Sequence, residues 1–453
     1  MSGISDSITV KTPFGDCEIP FNTEMVREFL KTVTKDTQEL RTLFDEEVCE
    51  FLEIPIGQED EEFEWWEETH VPSLLFDLDY YLKDQYIIVK TQNYTRQRME
   101  HSAIVSKPFE YPQGKFSFPI KTTYFVKSKT DNNKFVISLF PVDGVNIDVR
   151  IAYDNSLCSA AEFMEHFNIY HKSKGVLKNS KFNSNLKWLD YEPTSWNDII
   201  LTETQKAAIN RNITKFIENI DFYKGKGLPL SRGVLVTGPP GTGKTLLCNT
   251  IMSQTDCTLI YITSDSINSR GEIVEMYELA RSLAPSIVVV EDIDTLGTAD
   301  RETGGDSPLL GEFLNCLAGV EKNDQVVTVA TTNYPKQLDK ALIDRPGRFD
   351  IRVELGLPDA SLRETIFKRY LRDIKHEKIN FKKLLSLTDG MAGAHLKEIV
   401  MLSYMVSLEK NNYKNNVTLE GDLIIDRAKY VADKRKQYHF YDKDVGNTAG
   451  MHL

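Results

Sequence analysis

The sequence predicts an α/β fold, a parallel sheet flanked by helices and built around a phosphate-binding loop, preceded by an α+β N-terminal domain. Three observations predict it. The stretch Gly238-Pro-Pro-Gly-Thr-Gly-Lys-Thr245 follows an apolar run, Gly233–Thr237, and leads into Leu246–Met252, which is the order strand, glycine-rich turn, helix. Beyond it helical and apolar segments alternate, as in a parallel sheet whose site lies at the carboxyl ends of its strands. Before it, from Gln85 to Tyr153, apolar residues recur with period two, as in antiparallel strands.

Bulk properties bound the rest. A chain of 453 residues exceeds one ordinary core and implies two or three domains. Its composition, 41% apolar and 27% charged, is that of a globular protein. No window approaches 18 uninterrupted apolar residues, so no membrane span is expected. The start, Met1-Ser-Gly-Ile-Ser-Asp-Ser7, has neither the basic nor the apolar region of a signal peptide. Six cysteines without metal-ligand spacing suit a reducing compartment, and a cytoplasmic location is expected. The net charge of −13 disfavours nucleic acid as a partner, because counterion release rewards basic surfaces.

Taken in order, residues 1–20 alternate loosely and predict a hairpin around Pro13–Asp16. From Asn22 to Glu53 apolar residues recur at helical spacing. Between Asp45 and Glu68 stand 12 acidic residues and no Lys or Arg. Within that segment Glu59–Glu68 encloses Phe63, Trp65 and Trp66, which reads as a solvated acidic face with an aromatic anchor or as a docking surface for a basic partner. Strands are predicted at Tyr86–Lys90, Lys115–Ile120, Thr123–Lys127, Phe135–Phe140 and Val145–Ile151, with turns at Asp131–Lys134 and Asp143-Gly144. His101, His166 and His171 stand isolated and are expected to be packed or solvent-facing. Residues 1–185 thus read as a domain that supplies specificity and no chemistry. Lys172–Asn185, basic and polar, reads as a linker. Trp196–Ile200 and an amphipathic helix through Ile209, Ile213, Phe216 and Ile217 precede the loop.

The loop carries the chemistry. Gly238, Pro239, Pro240, Gly241, Thr242 and Gly243 let backbone N–H groups and a helix N-terminus face an anion. Lys244 reaches the β- and γ-phosphates of a nucleoside triphosphate, and the Thr245 hydroxyl is placed to ligate Mg²⁺. A second strand is predicted at Thr258–Thr263. A third, Ile287–Val290, ends in Glu291-Asp292-Ile293-Asp294. Carboxylates at the end of a buried strand beside such a loop hold Mg²⁺, usually through water, and orient or deprotonate the attacking water. A fourth strand, Gln325–Ala330, ends in Thr331-Thr-Asn333, where Asn333 is placed to hydrogen-bond the γ-phosphate or that water. Arg345 and Arg348, three apart on a Pro-Gly turn, are candidates for a charged finger.

In their order and spacing the phosphate loop, the acidic strand end, Thr331–Asn333 and Arg345-Pro-Gly-Arg-Phe-Asp350 resemble the ATPase module of the AAA family over about residues 190–435. The resemblance implies a large subdomain at 186–356, a small helical lid at 357–436 and a tail at 437–453. Lid helices are expected near Ser361–Ile374, Phe381–Leu387, Ala394–Lys410 and Leu419–Lys436. It further implies that ATP binds between subunits of a homo-oligomeric ring of six or seven, with Arg345 and Arg348 reaching into the neighbour's site. Ala394, in Gly393-Ala-His395 where the family usually has Gly-Ala-Asp, would face the nucleotide, and the backbone of Asp198, Ile199 and Ile200 would lie against adenine. The expected function is Mg²⁺-dependent ATP hydrolysis in a ring, remodelling or moving a protein partner recognised by residues 1–185. A nucleic-acid motor or loader and an ATP-dependent assembly scaffold are the alternatives.

The sequence departs from the family pattern in three places. Most AAA modules end the third strand Asp-Glu; the order here is Glu291-Asp292, so by position Glu291 serves magnesium and Asp292 the water. The loop Ser264–Gly271 is short and lacks the aromatic residue of protein-threading members, so hand-over-hand gripping of an unfolded chain is not expected. Asp344 is an extra residue before the arginine turn. The first two departures, with Tyr223–Pro229 before Arg232–Val236, are most similar to the subfamily of the mitochondrial AAA translocase that moves the folded Rieske iron–sulfur protein. That similarity covers the ATPase module alone.

Overall fold

The computed structural model describes residues 6–12, 15–21, 43–55, 57–66, 69–94, 101–142, 146–263, 266–267, 271–296, 308–318, 322–335, 348–413 and 417–448. The chain divides into two compact units, Met1–His171 and Lys172–Leu453.

The first unit begins with β1 (Asp6–Thr12) and β2 (Gly15–Phe21), an antiparallel pair as the alternation predicts. The predicted helical stretch 22–53 is described only from residue 43, as α1 (Leu43–Leu52). The acidic segment is itself a strand, β3 (Asp60–Trp66), and α2 (Val71–Gln85) follows with Pro72 in its first turn. Then come β4 (Tyr86–Tyr94), β5 (His101–Ser102), β6 (Val105–Tyr111), β7 (Gly114–Ser128), β8 (Lys134–Pro141), β9 (Ile147–Tyr153) and α3 (Ala160–Lys174). They form a seven-stranded antiparallel sheet in the order β3-β9-β8-β7-β4-β5, with β6 paired to β7. The strands expected at 115–120 and 123–127 are one long strand. Its first part pairs β6, with a register irregularity at Val105/Ser106 opposite Pro119, and its second part pairs β4 and β8. The histidines expected to be isolated include two that meet carboxylates: His101 lies 2.6 Å from Glu47, and buried His171 lies 2.5 Å from Asp77.

The second unit opens with a correction. Lys172–Asn185 holds, instead of a bare linker, the end of α3 and a short strand, β10 (Lys181–Asn183), paired in parallel with the sheet. Lys181 donates to the carbonyls of Thr255 and Cys257, so its charge anchors the strand, a use that composition does not reveal. The predicted amphipathic helix is α4 (Glu203–Ile209), a π-helical turn over Asn210–Thr214 and α5 (Lys215–Glu218), with Ile209, Ile213, Phe216 and Ile217 all buried. Next are α6 (Ile220–Gly225), β11 (Arg232–Thr237), α7 (Lys244–Gln254), β12 (Thr258–Ile262), α8 (Glu272–Ser282), β13 (Ser286–Val290), α9 (Ile293–Leu296), α10 (Pro308–Ala318), β14 (Val326–Thr332) and β15 (Ile351–Glu354). The sheet is wholly parallel in the order β10-β12-β13-β14-β11-β15. Of its central strands, β13 is an unbroken apolar run from Ile287 to Val290, buried throughout.

The lid comprises α11 (Ala360–Leu371), α12 (Phe381–Leu387), α13 (Gly393–Lys410) and α14 (Gly421–Thr448), packed on Phe367, Leu384, Leu396, Ile399 and Ile424. The last helix runs on to Thr448 through most of the segment expected as a tail.

Candidate functional site

The carboxyl ends of β11, β12, β13 and β14 meet at one edge of the parallel sheet, and the sequence-predicted groups collect there. The phosphate loop turns from β11 into α7. Gly241 holds φ of +76°, and a Cβ on it would lie 2.9 Å from that of Ala394, so only glycine lets the loop and the start of α13 approach. The Ala394 N–H donates to the Gly241 carbonyl at 3.0 Å, which places Ala394 against the loop. Gly243, at φ +105°, starts α7 and aims its first N–H groups toward the loop.

Lys244 is 6% exposed. Its ammonium donates to the carbonyls of Gly238 and Pro239 at 2.8 and 3.1 Å, and burial lowers its pKa against the pull of Asp292, Asp294 and Glu291. Thr245 donates its hydroxyl proton to Glu291 Oε1. Tyr261, from the adjacent strand β12, donates to Glu291 Oε2 at 2.6 Å. The Glu291 carboxylate is thus held at both oxygens, one of them on the loop side.

Asp292 is turned differently. Its backbone has φ of +48°, a left-handed conformation that Asp tolerates better than Glu. Its N–H donates to Thr331 Oγ1 at 2.9 Å, and Asn333 Nδ2 donates to its Oδ1 at 3.0 Å. Burial raises its pKa first, and the charges of Glu291 and Asp294 raise it further, against Lys244. Asp294 is buried and accepts from Thr332 Oγ1 at 2.6 Å and from the Asn333 N–H at 3.3 Å. Thr331 therefore fixes the Asp292 backbone, Thr332 holds the Asp294 carboxylate, and Asn333 lies beside the Asp292 carboxylate.

Other predicted residues sit further out. Ser195 donates its hydroxyl and N–H to Asp198 Oδ2, and Arg369 of α11 donates to Oδ1. These bonds, Ser195's first, hold the Asp198 carboxyl down at about 2. Ile199 is buried and Ile200 half-buried. His395 accepts the Ala392 N–H at 3.2 Å, capping α13, and burial with nearby Arg435 lowers its pKa. Arg345 and Asp344 lie outside the described residues, as do Ser264, Asp265 and Asn268–Arg270 of the shortened loop. Arg348 is 6% exposed, and its carbonyl oxygen would lie 1.7 Å from a Cβ on Gly233, at the amino end of β11. Five residues of strand separate Gly233 from Gly238, about 16 Å, so Arg348 is remote from its own phosphate loop.

Sequence reasoning missed Tyr261, Thr331, Thr332 and Arg369. Tyr261 is one polar residue in an apolar strand, and only its pairing beside Val289 brings it to Glu291. The residues present suit a triphosphate with Mg²⁺: a buried ammonium satisfied by carbonyls alone, a hydroxyl and carboxylate side by side, and glycines that leave the backbone bare.

A family model described as "ATPase family associated with various cellular activities (AAA)" matches residues 234–357. The proteasome-activating nucleotidase of Methanopyrus kandleri is 33% identical over 247 residues, 52% of this chain and 56% of its own length. That of Sulfurisphaera tokodaii is 34% identical over 264 residues, 55% and 66% respectively. The probable 26S proteasome regulatory subunit 10B of Caenorhabditis elegans is 38% identical over 196 residues, 40% and 47%. The chain spans about half to two thirds of the length of these relatives. The closer kinship with the Rieske translocase subfamily finds no support in them: all three are named for the proteasome. Among the described residues no helix is long and apolar enough to cross a membrane. The match over residues 234–357 takes in the phosphate loop and the paired strand-end carboxylates, and makes this part of the chain an ATPase domain of the AAA family.

Proposed function

We propose that this chain hydrolyses ATP with Mg²⁺ as a ring of six or seven identical subunits in the cytoplasm, and uses the turnover to remodel or move a protein partner recognised by the N-terminal unit. The observation that carries the reading is the gathering of Lys244, Thr245, Glu291, Asp292 and Asn333 around one loop at the carboxyl edge of the sheet. The relatives named as proteasome-activating nucleotidases favour a protein as the object of that turnover.

In this reading the Lys244 ammonium exchanges the carbonyls of Gly238 and Pro239 for the β- and γ-phosphates. Thr245 and Glu291 would hold Mg²⁺, which when bound neutralises the charge that develops on the phosphate oxygens. Asp292 accepts the proton of the attacking water, and Asn333 fixes its carboxylate for that task. Glu291 has both oxygens engaged, one by Thr245 of the loop and one by Tyr261, so Asp292 is the better-placed base. Arg345 and Arg348 act on the neighbouring subunit's nucleotide. The distance of Arg348 from its own loop supports a shared site.

The test is steady-state ATPase of the purified full chain with Mg²⁺, alongside its mass by light scattering with and without ATP. Turnover lost in Lys244→Ala, with a ring-sized particle, is the expected result. Turnover that survives Lys244→Ala, or a particle that stays monomeric at the protein concentration supporting full activity, would refute it.

A further inference from the structure

The acidic segment forms the terminal strand of the N-terminal sheet, since β3 pairs β9 and ends the strand order. A terminal strand presents unpaired backbone N–H and C=O groups along its outer side. Phe63 and Trp65 point to the same face and are 58% and 52% exposed, whereas Trp66, on the other face, is buried and stacked on Phe167. Exposed Glu62 and Glu64 alternate with them. Phe63 already receives one cation: Arg150, its partner on β9, lies over its ring at 4.9 Å and reaches toward Glu61 at 3.6 Å. An incoming strand would run about 4.8 Å away on the outer side, so its residue opposite Phe63 would mirror Arg150.

We propose that the β3 edge binds an extended, Lys/Arg-rich segment of a protein partner by strand addition. Backbone hydrogen bonds to β3 hold the segment, its basic side chains lie over Phe63 and Trp65, and the carboxylates set its sign. Charge complementarity chooses this occupant. With Asp60, Glu61, Glu62 and Glu64 in β3 and no Lys or Arg in it, a second copy of this edge would set carboxylate against carboxylate, and anionic nucleic acids or lipid headgroups would be repelled. The proposal deepens, and rests on, the reading of the N-terminal unit as the part that recognises a protein.

The experiment uses the full chain without nucleotide and a fluorescein-labelled peptide of alternating Lys and Val, about as long as β3. Anisotropy should report binding that weakens with added salt, and amide exchange within Asp60–Trp66 should slow. The Phe63→Ala/Trp65→Ala variant should bind the peptide at least about tenfold more weakly with its basal ATPase unchanged. The same peptide N-methylated at alternate residues should not bind, because strand addition needs its N–H groups. Failure of the Lys/Val peptide to bind would overturn the proposal. So would equal binding by a Glu/Val peptide, by the N-methylated peptide, or by the double variant. Because ATPase is read in parallel, failure of the edge and failure of the ATPase reading remain distinguishable.

Discussion

In the proposed reaction Asp292 is the base and Glu291 a magnesium ligand, an assignment that rests on their surroundings. Asp292→Asn should keep a fluorescent ATP analogue bound and lower kcat by about 10²–10⁴, the range of general-base contributions. If Glu291→Gln proves to be the variant that binds ATP without turning it over, the two roles are reversed. The pH profile carries the same assignment. A base works deprotonated, and burial with Glu291 and Asp294 raises the Asp292 pKa. The acid limb of kcat/KM should therefore lie above the ordinary aspartate value of about 3.9, with activity lost as pH falls; a limb at or below it would contradict the role. Tyr261 acts through Glu291. Tyr261→Phe removes one of the two bonds on that carboxylate and should lower kcat about tenfold while raising the Mg²⁺ concentration for half-maximal rate. An unchanged Mg²⁺ dependence would leave Tyr261 a packing residue. The carboxylates were legible because they end an apolar run beside a phosphate loop. Tyr261 was not, since strand order and register lie outside local sequence.

At the scale of elements, the lid is tied to the large subdomain at two points: Ala394 on Gly241, and Arg369 on Asp198. The second tie links α11 to the segment expected against adenine. Both side chains are about a third exposed, so solvent screens the pair and its contribution is small. Arg369→Ala should weaken ATP binding only slightly, measured by titration with a fluorescent analogue. The sign with pH follows from the depressed Asp198 pKa. Its contribution is present above the unfolded value near 3.9 and is lost as pH falls through about 2, so the tie holds throughout the neutral range. Long periodic elements were readable in advance, including the lid helices and β11 to β14. Short edge strands were not: Lys181-Phe-Asn183 has one apolar residue and Ile351–Glu354 only two, too few to show a period.

At the scale of the molecule, the prediction concerns what one subunit lends another. Arg345→Ala should reduce turnover by about 10³ or more if it serves a neighbour's nucleotide. Mixing Arg345→Ala with Lys244→Ala subunits should then restore part of the rate, because some interfaces pair an intact arginine with an intact loop. No recovery, together with full activity of Arg345→Ala alone, would exclude a shared site. Arg348→Ala should behave differently. Arg348 is buried against the start of β11, so its loss should lower thermal stability by about 1–3 kcal/mol as well as turnover. A variant with wild-type melting and lost turnover would mark Arg348 as a second reaching arginine. The division at His171/Lys172 falls earlier than the linker expected from composition, because Lys178 and Lys181 spend their charge on carbonyls of the ATPase unit.

The sequence by itself determined the nucleotide chemistry: a glycine-rich loop between strand and helix, carboxylates at a buried strand end and a polar residue after the next are all local patterns set by backbone geometry. Tertiary structure alone decided which oxygen each group holds. It put Tyr261 and Thr245 on Glu291, Asn333 on Asp292, and Arg348 at the far end of β11. It also turned an acidic run into a sheet edge with two exposed aromatic rings. Parallel strand pairing joins residues tens of positions apart, and that register is written in the packing of the whole core and in no single stretch of chain.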